Sequence, residues 1–135
     1  MIYETNYKKI MNLIPDLASF KIEDNRRSHL GGGYLDLCID MVEITENHIM
    51  FALSQYYDNG NRDVDMIIKV YPSSKMAEVM AFQGVGHSPF QQVYFENEEG
   101  QKMVRSKLKK ELNSYLRTWL MILKKQGHTL KEKAI

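Results

Sequence analysis

The sequence predicts an α+β fold: an antiparallel meander of three to four strands, an N-terminal helix, a short middle helix, and a long C-terminal helix packed on one sheet face. Three observations carry this expectation. Three segments between residues 35 and 70 alternate apolar and polar residues with period two. An Asn59-Gly60 pair separates the second from the third, and this pair is preferred in two-residue hairpin turns because both positions need positive φ. Apolar residues at helical spacing then run from Val104 to Leu123.

The elements follow in order. Tyr7, Ile10, Met11, Ile14 and Leu17 recur at helical spacing, with Thr5 as a candidate N-cap. Pro15 lacks an amide donor and disfavours helix at Ile14, so a break is expected there. Polar residues from Lys21 to His29 read as a loop. Gly31, Gly32 and Gly33 let the chain turn into the first strand. In that strand Leu35, Leu37, Ile39 and Met41 alternate with Asp36, Cys38 and Asp40. Ile49, Phe51 and Leu53 mark the second strand; Val64, Met66, Ile68 and Val70 mark the third.

Register follows from the turns. With Asn59-Gly60 as the turn, Gln55 faces Val64, Leu53 faces Met66, Phe51 faces Ile68 and Ile49 faces Val70, all on the apolar face. A first turn around Glu43 to Asn47 would place Met41 opposite Ile49, Ile39 opposite Phe51 and Leu37 opposite Leu53. The mixed face would then carry three rows: Tyr34, Tyr56 and Asp63; Asp36, Ser54 and Asp65; Cys38, Ala52 and Ile67.

After Pro72, Ser73 or Ser74 would cap a short helix over residues 75–80. QQVYFE is a candidate fourth strand. Asn97, Glu98 and Glu99 suit the start of a helix over about 100–126, ~40 Å long, with Gly127 at its end and residues 128–135 frayed.

At 135 residues, 44% hydrophobic and 26% charged, the chain fits one domain over residues 1–135 with an ordinary core. No apolar run approaches the ~20 residues of a transmembrane helix. The opening residues carry acids where a secretory signal would be apolar. Cys38 is the only cysteine, so a reducing cytoplasm is the expected setting. The net charge of +1 hides a polarity. Residues 1–100 hold 8 Lys and Arg against 15 Asp and Glu, a net of −7; residues 101–135 hold 10 against 2, a net of +8. An anionic partner, or the chain's own acidic body, would answer that basic segment.

Candidate chemistry is sparse. The glycines precede a strand and no Gly-Lys-Ser/Thr is present, so they do not form a nucleotide loop, although Arg26, Arg27 and His29 beside them suit an anion. Asp36 and Asp65 flanking Ser54, with Asp63 next to Tyr56, form a candidate ligand face. Two acids one strand apart lie roughly 10 Å from each other, long for a shared metal or an acid–base pair. The histidines lack metal-ligand spacing, and no metal or cofactor is expected. Lys107, Lys109, Lys110 and Arg117 are candidate contacts for an anion or partner, spread around the helix without a recognition motif.

TNYKKIMNLIPDL, the glycine triplet, VYPSSKMAEV and LNSYLRTWLMILKKQGH together resemble the YqiB-like proteins, a bacterial family of unknown function. The resemblance runs nearly end to end, with Asn113, Leu116, Trp119, Leu120, Gly127 and His128 at the matching places. It departs at Ser73-Ser74, where that family often has Asp-Ala. It implies a small cytoplasmic α+β protein with no assigned reaction, so no site residue carries over.

Three functions remain in play: a non-enzymatic binding or adaptor protein with a protein partner; a small-ligand or metal-dependent hydrolase on the mixed face; and nonspecific nucleic-acid binding by residues 101–135. A homodimer through surplus apolar helix surface is compatible with the first.

Overall fold

A computed structural model describes residues 1–57, 62–84 and 90–131. Helix α1 (Ile2–Leu13) is followed by a 3₁₀ turn (Leu17–Ser19) and strands β1 (Asn25–Ser28), β2 (Asp36–Ile44), β3 (Ile49–Tyr56), β4 (Arg62–Tyr71), β5 (Met76–Gln83) and β6 (Gln91–Gln92). A small hairpin, β7 (Tyr94–Glu96) and β8 (Lys102–Val104), precedes helix α2 (Ser106–Gln126). The first six strands form one antiparallel sheet in sequence order, and β7 pairs with β8.

The sheet has six strands rather than three to four. Residues 75–80 are not a helix: Ala77, Val79 and Ala81 are buried while Met76, Glu78 and Met80 alternate with them. The alternation wins because β4 offers a free edge, on which Val70 pairs with Ala77 and Ile68 with Val79. Lys75, at φ 54°, turns the chain back after Pro72. The supposed loop before His29 contains β1, whose polar side chains hide it; Arg27 pairs with Cys38 and Ser28 with Leu37.

The β3–β4 register agrees with expectation at Gln55–Val64, Leu53–Met66, Phe51–Ile68 and Ile49–Val70. Asn59-Gly60 itself lies outside the described residues. At the strand end an irregularity pairs Tyr56 with Arg62 rather than Asp63. The β2–β3 register differs by two residues: Met41 faces Phe51, Ile39 faces Leu53 and Leu37 faces Gln55. Thr45 closes a four-residue turn by receiving the Asn47 and His48 amides on Oγ1, and the strands slip at Met41–Glu43 to reach it. Parity survives, so the apolar face is unchanged.

Both helices pack on that face. Ile10, Leu13, Leu112, Leu116, Trp119, Leu120 and Leu123 share one core with Leu37, Ile39, Phe51, Leu53, Met66, Ile68 and Val79. The break at Pro15 is present: α1 stops at Leu13, and Ile14 adopts φ −128°. Thr5 is not the cap but sits inside α1, its hydroxyl donating to the Met1 carbonyl. Helix α2 starts later than expected because Asn97 organises the β7–β8 turn, accepting the Glu99 and Gln101 amides on Oδ1. Val104 and Tyr115 of the predicted stripe are exposed.

Gly127 ends α2 at φ 95°, and its amide returns to Leu123 and Lys124. Gly127→Ala should therefore cost about 1–2 kcal/mol, read as a lower urea midpoint at unchanged slope; an unchanged midpoint would contradict this role. Beyond it the chain does not fray at once. His128 and Leu130 are buried, the Leu130 amide donates to the Leu13 carbonyl at 2.9 Å, and Arg26 donates to the Leu130 carbonyl at 2.9 Å.

Candidate binding face

The helices cover one side of the sheet, and neither covers the other. On this open face the polar members of each alternation line up. Asp36 stands opposite Tyr56, and Cys38 opposite Ser54, which continues to Asp65. The corrected register thus separates Asp36 from the Ser54–Asp65 pair. Two strands apart and offset along the sheet, the acids lie roughly 12 Å from each other.

Each acid is held by a neighbour. Asp36 takes His29 Nδ1 at 2.5 Å and lies 3.6 Å from Arg27 Nε, which also donates to Cys38 Sγ at 3.3 Å. Ser54 donates to Asp65 at 2.9 Å, and Tyr57 to Asp63 at 3.0 Å. Between this acidic half and β5 runs an apolar band of half-buried Met50, Ala52 and Ile67. Tyr34 and Tyr57 stand exposed at the rim. Among the described residues, no group of three or more His, Cys, Asp and Glu is placed to hold a metal ion.

The most organised polar cluster was not visible in the sequence. Glu78, on the free edge of β5, accepts the hydroxyls of Tyr71, at 2.7 Å, and Tyr94. Lys109 Nζ approaches the same carboxylate at 4.0 Å and lies 5.3 Å and 5.4 Å from the ring centres of Tyr3 and Tyr94. Burial, then Glu78, pushes the Tyr71 and Tyr94 phenols up; Lys109 offsets part of this for Tyr94. The Tyr94 hydrogen bond holds Lys109 above its ordinary value against desolvation. Phenols and ammonium therefore keep their protons at neutral pH. They donate hydrogen bonds and carry charge, but they are poorly set for proton transfer. Cavities of about 380 Å³ and 450 Å³ flank Tyr71 and Glu78. The one sequence signal for this cluster was the alternation around Glu78, masked by the helix-forming composition.

The basic candidates separate. Arg26 is committed to the fold, with Nη1 2.7 Å from Asp16 and the guanidinium 3.9 Å above the Phe20 ring. Lys109 joins Glu78, whereas Lys107, Lys110 and Arg117 are exposed. Arg105 lies over the Phe95 ring at 4.0 Å.

Residues 9–129 match the family described as "Protein of unknown function (DUF1249)". The chain belongs to that family. The match carries this description and does not extend to the YqiB-like naming that the sequence resembles. Comparison with curated proteins and with solved structures found no match. Among the described residues, no helix is long and apolar enough to cross a membrane.

Proposed function

We propose that this member of the family is a non-enzymatic binding protein whose open sheet face receives a protein partner. The observation that carries the proposal is the one-sided packing of both helices, which leaves the half-buried band of Met50, Ala52 and Ile67 without a helix over it, between an acidic half and the Glu78 cluster. An apolar centre with a tyrosine-bearing polar rim is the composition of a protein contact surface. The resolved shifts around Glu78 favour binding over catalysis because each moves away from neutrality. Asp36, Tyr56, Asp63 and Asp65 then serve as polar contacts for a basic partner, with the buried Ser54 orienting the Asp65 carboxylate. The single cysteine accords with a reducing, cytoplasmic setting.

A small-ligand reading is favoured by the cavities beside Glu78. Site-specific photo-crosslinking separates the two. A benzophenone side chain at Ile67 should capture a defined protein in the native host, and the same group at Met121 on α2 should not. Tyr56→Ala should weaken that partner's affinity roughly tenfold or more, with an unchanged circular dichroism spectrum. Equal capture from both positions, or undiminished binding by Tyr56→Ala, would sink the proposal.

A further inference from the structure

The smaller of the two cavities beside Glu78, about 380 Å³, lies within the roughly 300–1,000 Å³ usual for small-molecule sites. It sits where the first turns of α1 and α2 meet the turn between β4 and β5. Its lining includes Tyr3, Tyr71, Ser74, Met76, Glu78 and Lys109. Two tyrosines and a methionine thus stand beside one carboxylate, one ammonium and one hydroxyl.

Distances fix the charged pair relative to its neighbours. Glu78 accepts the Tyr71 hydroxyl on Oε2 at 2.7 Å and the Tyr94 hydroxyl on Oε1, so each oxygen keeps an acceptor position. Lys109 Nζ lies 4.0 Å from Oε1, too far for a direct hydrogen bond. The same ammonium is 5.3 Å from the Tyr3 ring centre. Neither charged side chain is sealed from solvent, since Glu78 is 14% exposed and Lys109 29%. The pair is therefore an open donor and acceptor of net charge zero, held beside tyrosine rings.

We infer that this cavity binds a neutral carbohydrate, with a vicinal diol bridging Glu78 and Lys109. One hydroxyl donates to Glu78 while the adjacent oxygen accepts from Lys109, which closes the 4.0 Å gap with two charge-assisted hydrogen bonds. Tyr3, Tyr71 and Met76 receive the C–H surface of the sugar ring, since aromatic side chains with a polar tip suit a ligand that is apolar on one side and wet on the other. A charge on the ligand would meet one like and one opposite charge and gain little. Among the described residues, Glu78 is the only carboxylate lining this cavity, whereas glycoside hydrolysis ordinarily uses two, so the sugar is bound and released unchanged. The inference rests on the small-ligand reading of the cavities beside Glu78 and requires nothing of the open sheet face.

The test uses the full chain and saturation-transfer NMR with the methyl glycosides of glucose, galactose and mannose. Saturable binding of at least one is expected, and glucuronate and glucosamine should bind no tighter. Lys109→Met keeps the aliphatic stem and leaves both tyrosine hydroxyls on Glu78, yet should weaken the bound glycoside roughly tenfold or more. Tyr3→Leu, at the start of α1, should weaken it in the same direction. Lys124→Met removes a charge elsewhere on α2 and should leave affinity unchanged. Binding of none of the glycosides, binding indifferent to both Lys109→Met and Tyr3→Leu, or an equal loss with Lys124→Met overturns the proposal. Tighter binding of either charged sugar overturns the assignment to a neutral one. Benzylamine and phenylacetate separate the sugar from the cavity itself. If either binds in a Tyr3-dependent manner while the glycosides do not, the carbohydrate is overturned and the small-ligand site stands; if nothing binds, both fall.

Discussion

Asn113→Ala is expected to lower the unfolding free energy by about 2–4 kcal/mol, since it strands buried polar groups and opens a cavity together. Asn113 is fully buried at the crossing of α1, α2 and the edge of β5. Its Oδ1 accepts the Val79 amide at 3.0 Å, its Nδ2 donates to the Lys109 carbonyl at 2.7 Å, and its own carbonyl accepts Asn6 Nδ2 at 3.0 Å. The Val79 amide lies on the outer edge of β5, beyond the Ala81–Phe82 pairing with β6, and among the described residues it is received by Asn113 rather than by a strand. A side chain from α2 performs that task and thereby fixes the height of the helix against the sheet. At roughly 3 °C per kcal/mol for a chain of this size, the melting temperature should fall by about 6–12 °C. Hydrogen exchange at the Val79 amide should quicken in parallel. Asn6→Ala, which removes one donor and leaves Val79 capped, should cost only about 1 kcal/mol. Equal melting temperatures for Asn113→Ala and the wild type would show that the edge is satisfied in another way.

Trp119→Ala should cost about 3–5 kcal/mol, the usual range for emptying a large aromatic site. The indole is 5% exposed and belongs to the core shared by α2 and the sheet. Its Nε1 donates to Gln55 Oε1 at 2.9 Å, joining the helix to the one buried amide side chain on the apolar face of β3. Trp119→Phe separates the two contributions. It retains most of the volume but leaves the Gln55 oxygen without its donor, a loss of roughly 1–3 kcal/mol. Urea unfolding followed by circular dichroism reads both variants, and the midpoint should move while the slope stays constant. If Trp119→Phe were as damaging as Trp119→Ala, the hydrogen bond rather than the packing would dominate. If it were neutral, the Gln55 contact would carry no net stability.

Legibility in the sequence varied from element to element for physical reasons. The β3–β4 pairing was readable because the apolar alternation and the expected hairpin turn demanded the same partners. The β2–β3 pairing was readable only in parity. A slip of two residues keeps every apolar side chain inside, so pattern alone did not choose between registers; the Thr45 turn did. Strand β5 was misread because Lys, Met, Ala and Glu are good helix formers. Its strand conformation comes from pairing with β4, a contact that local propensity does not contain. Strand β1, written Asn-Arg-Arg-Ser, has almost no apolar signal.

The same distinction holds for the sites. The mixed face was legible as a face, because period two places Asp36, Ser54 and Asp65 on one side regardless of register. Their mutual distances were not, since these depend on the slip. Glu78 and Lys109 are 31 positions apart, and the conformation expected at Glu78 was the wrong one. Nothing local to His128 distinguishes it from a fraying tail; Leu13 and Arg26, distant in the chain, hold the following Leu130 in place.

By itself, the sequence determined which surfaces are apolar, where helices stop at Pro15 and Gly127, and that strands alternate between a core face and an open face. These are local properties, written in side-chain chemistry at fixed periods. Only the tertiary structure decided how many strands join the sheet, which register the first hairpin takes, and which charged groups meet. Each of those depends on hydrogen bonds and packing between residues distant in the chain, where several arrangements satisfy the same local pattern and only the assembled core selects one.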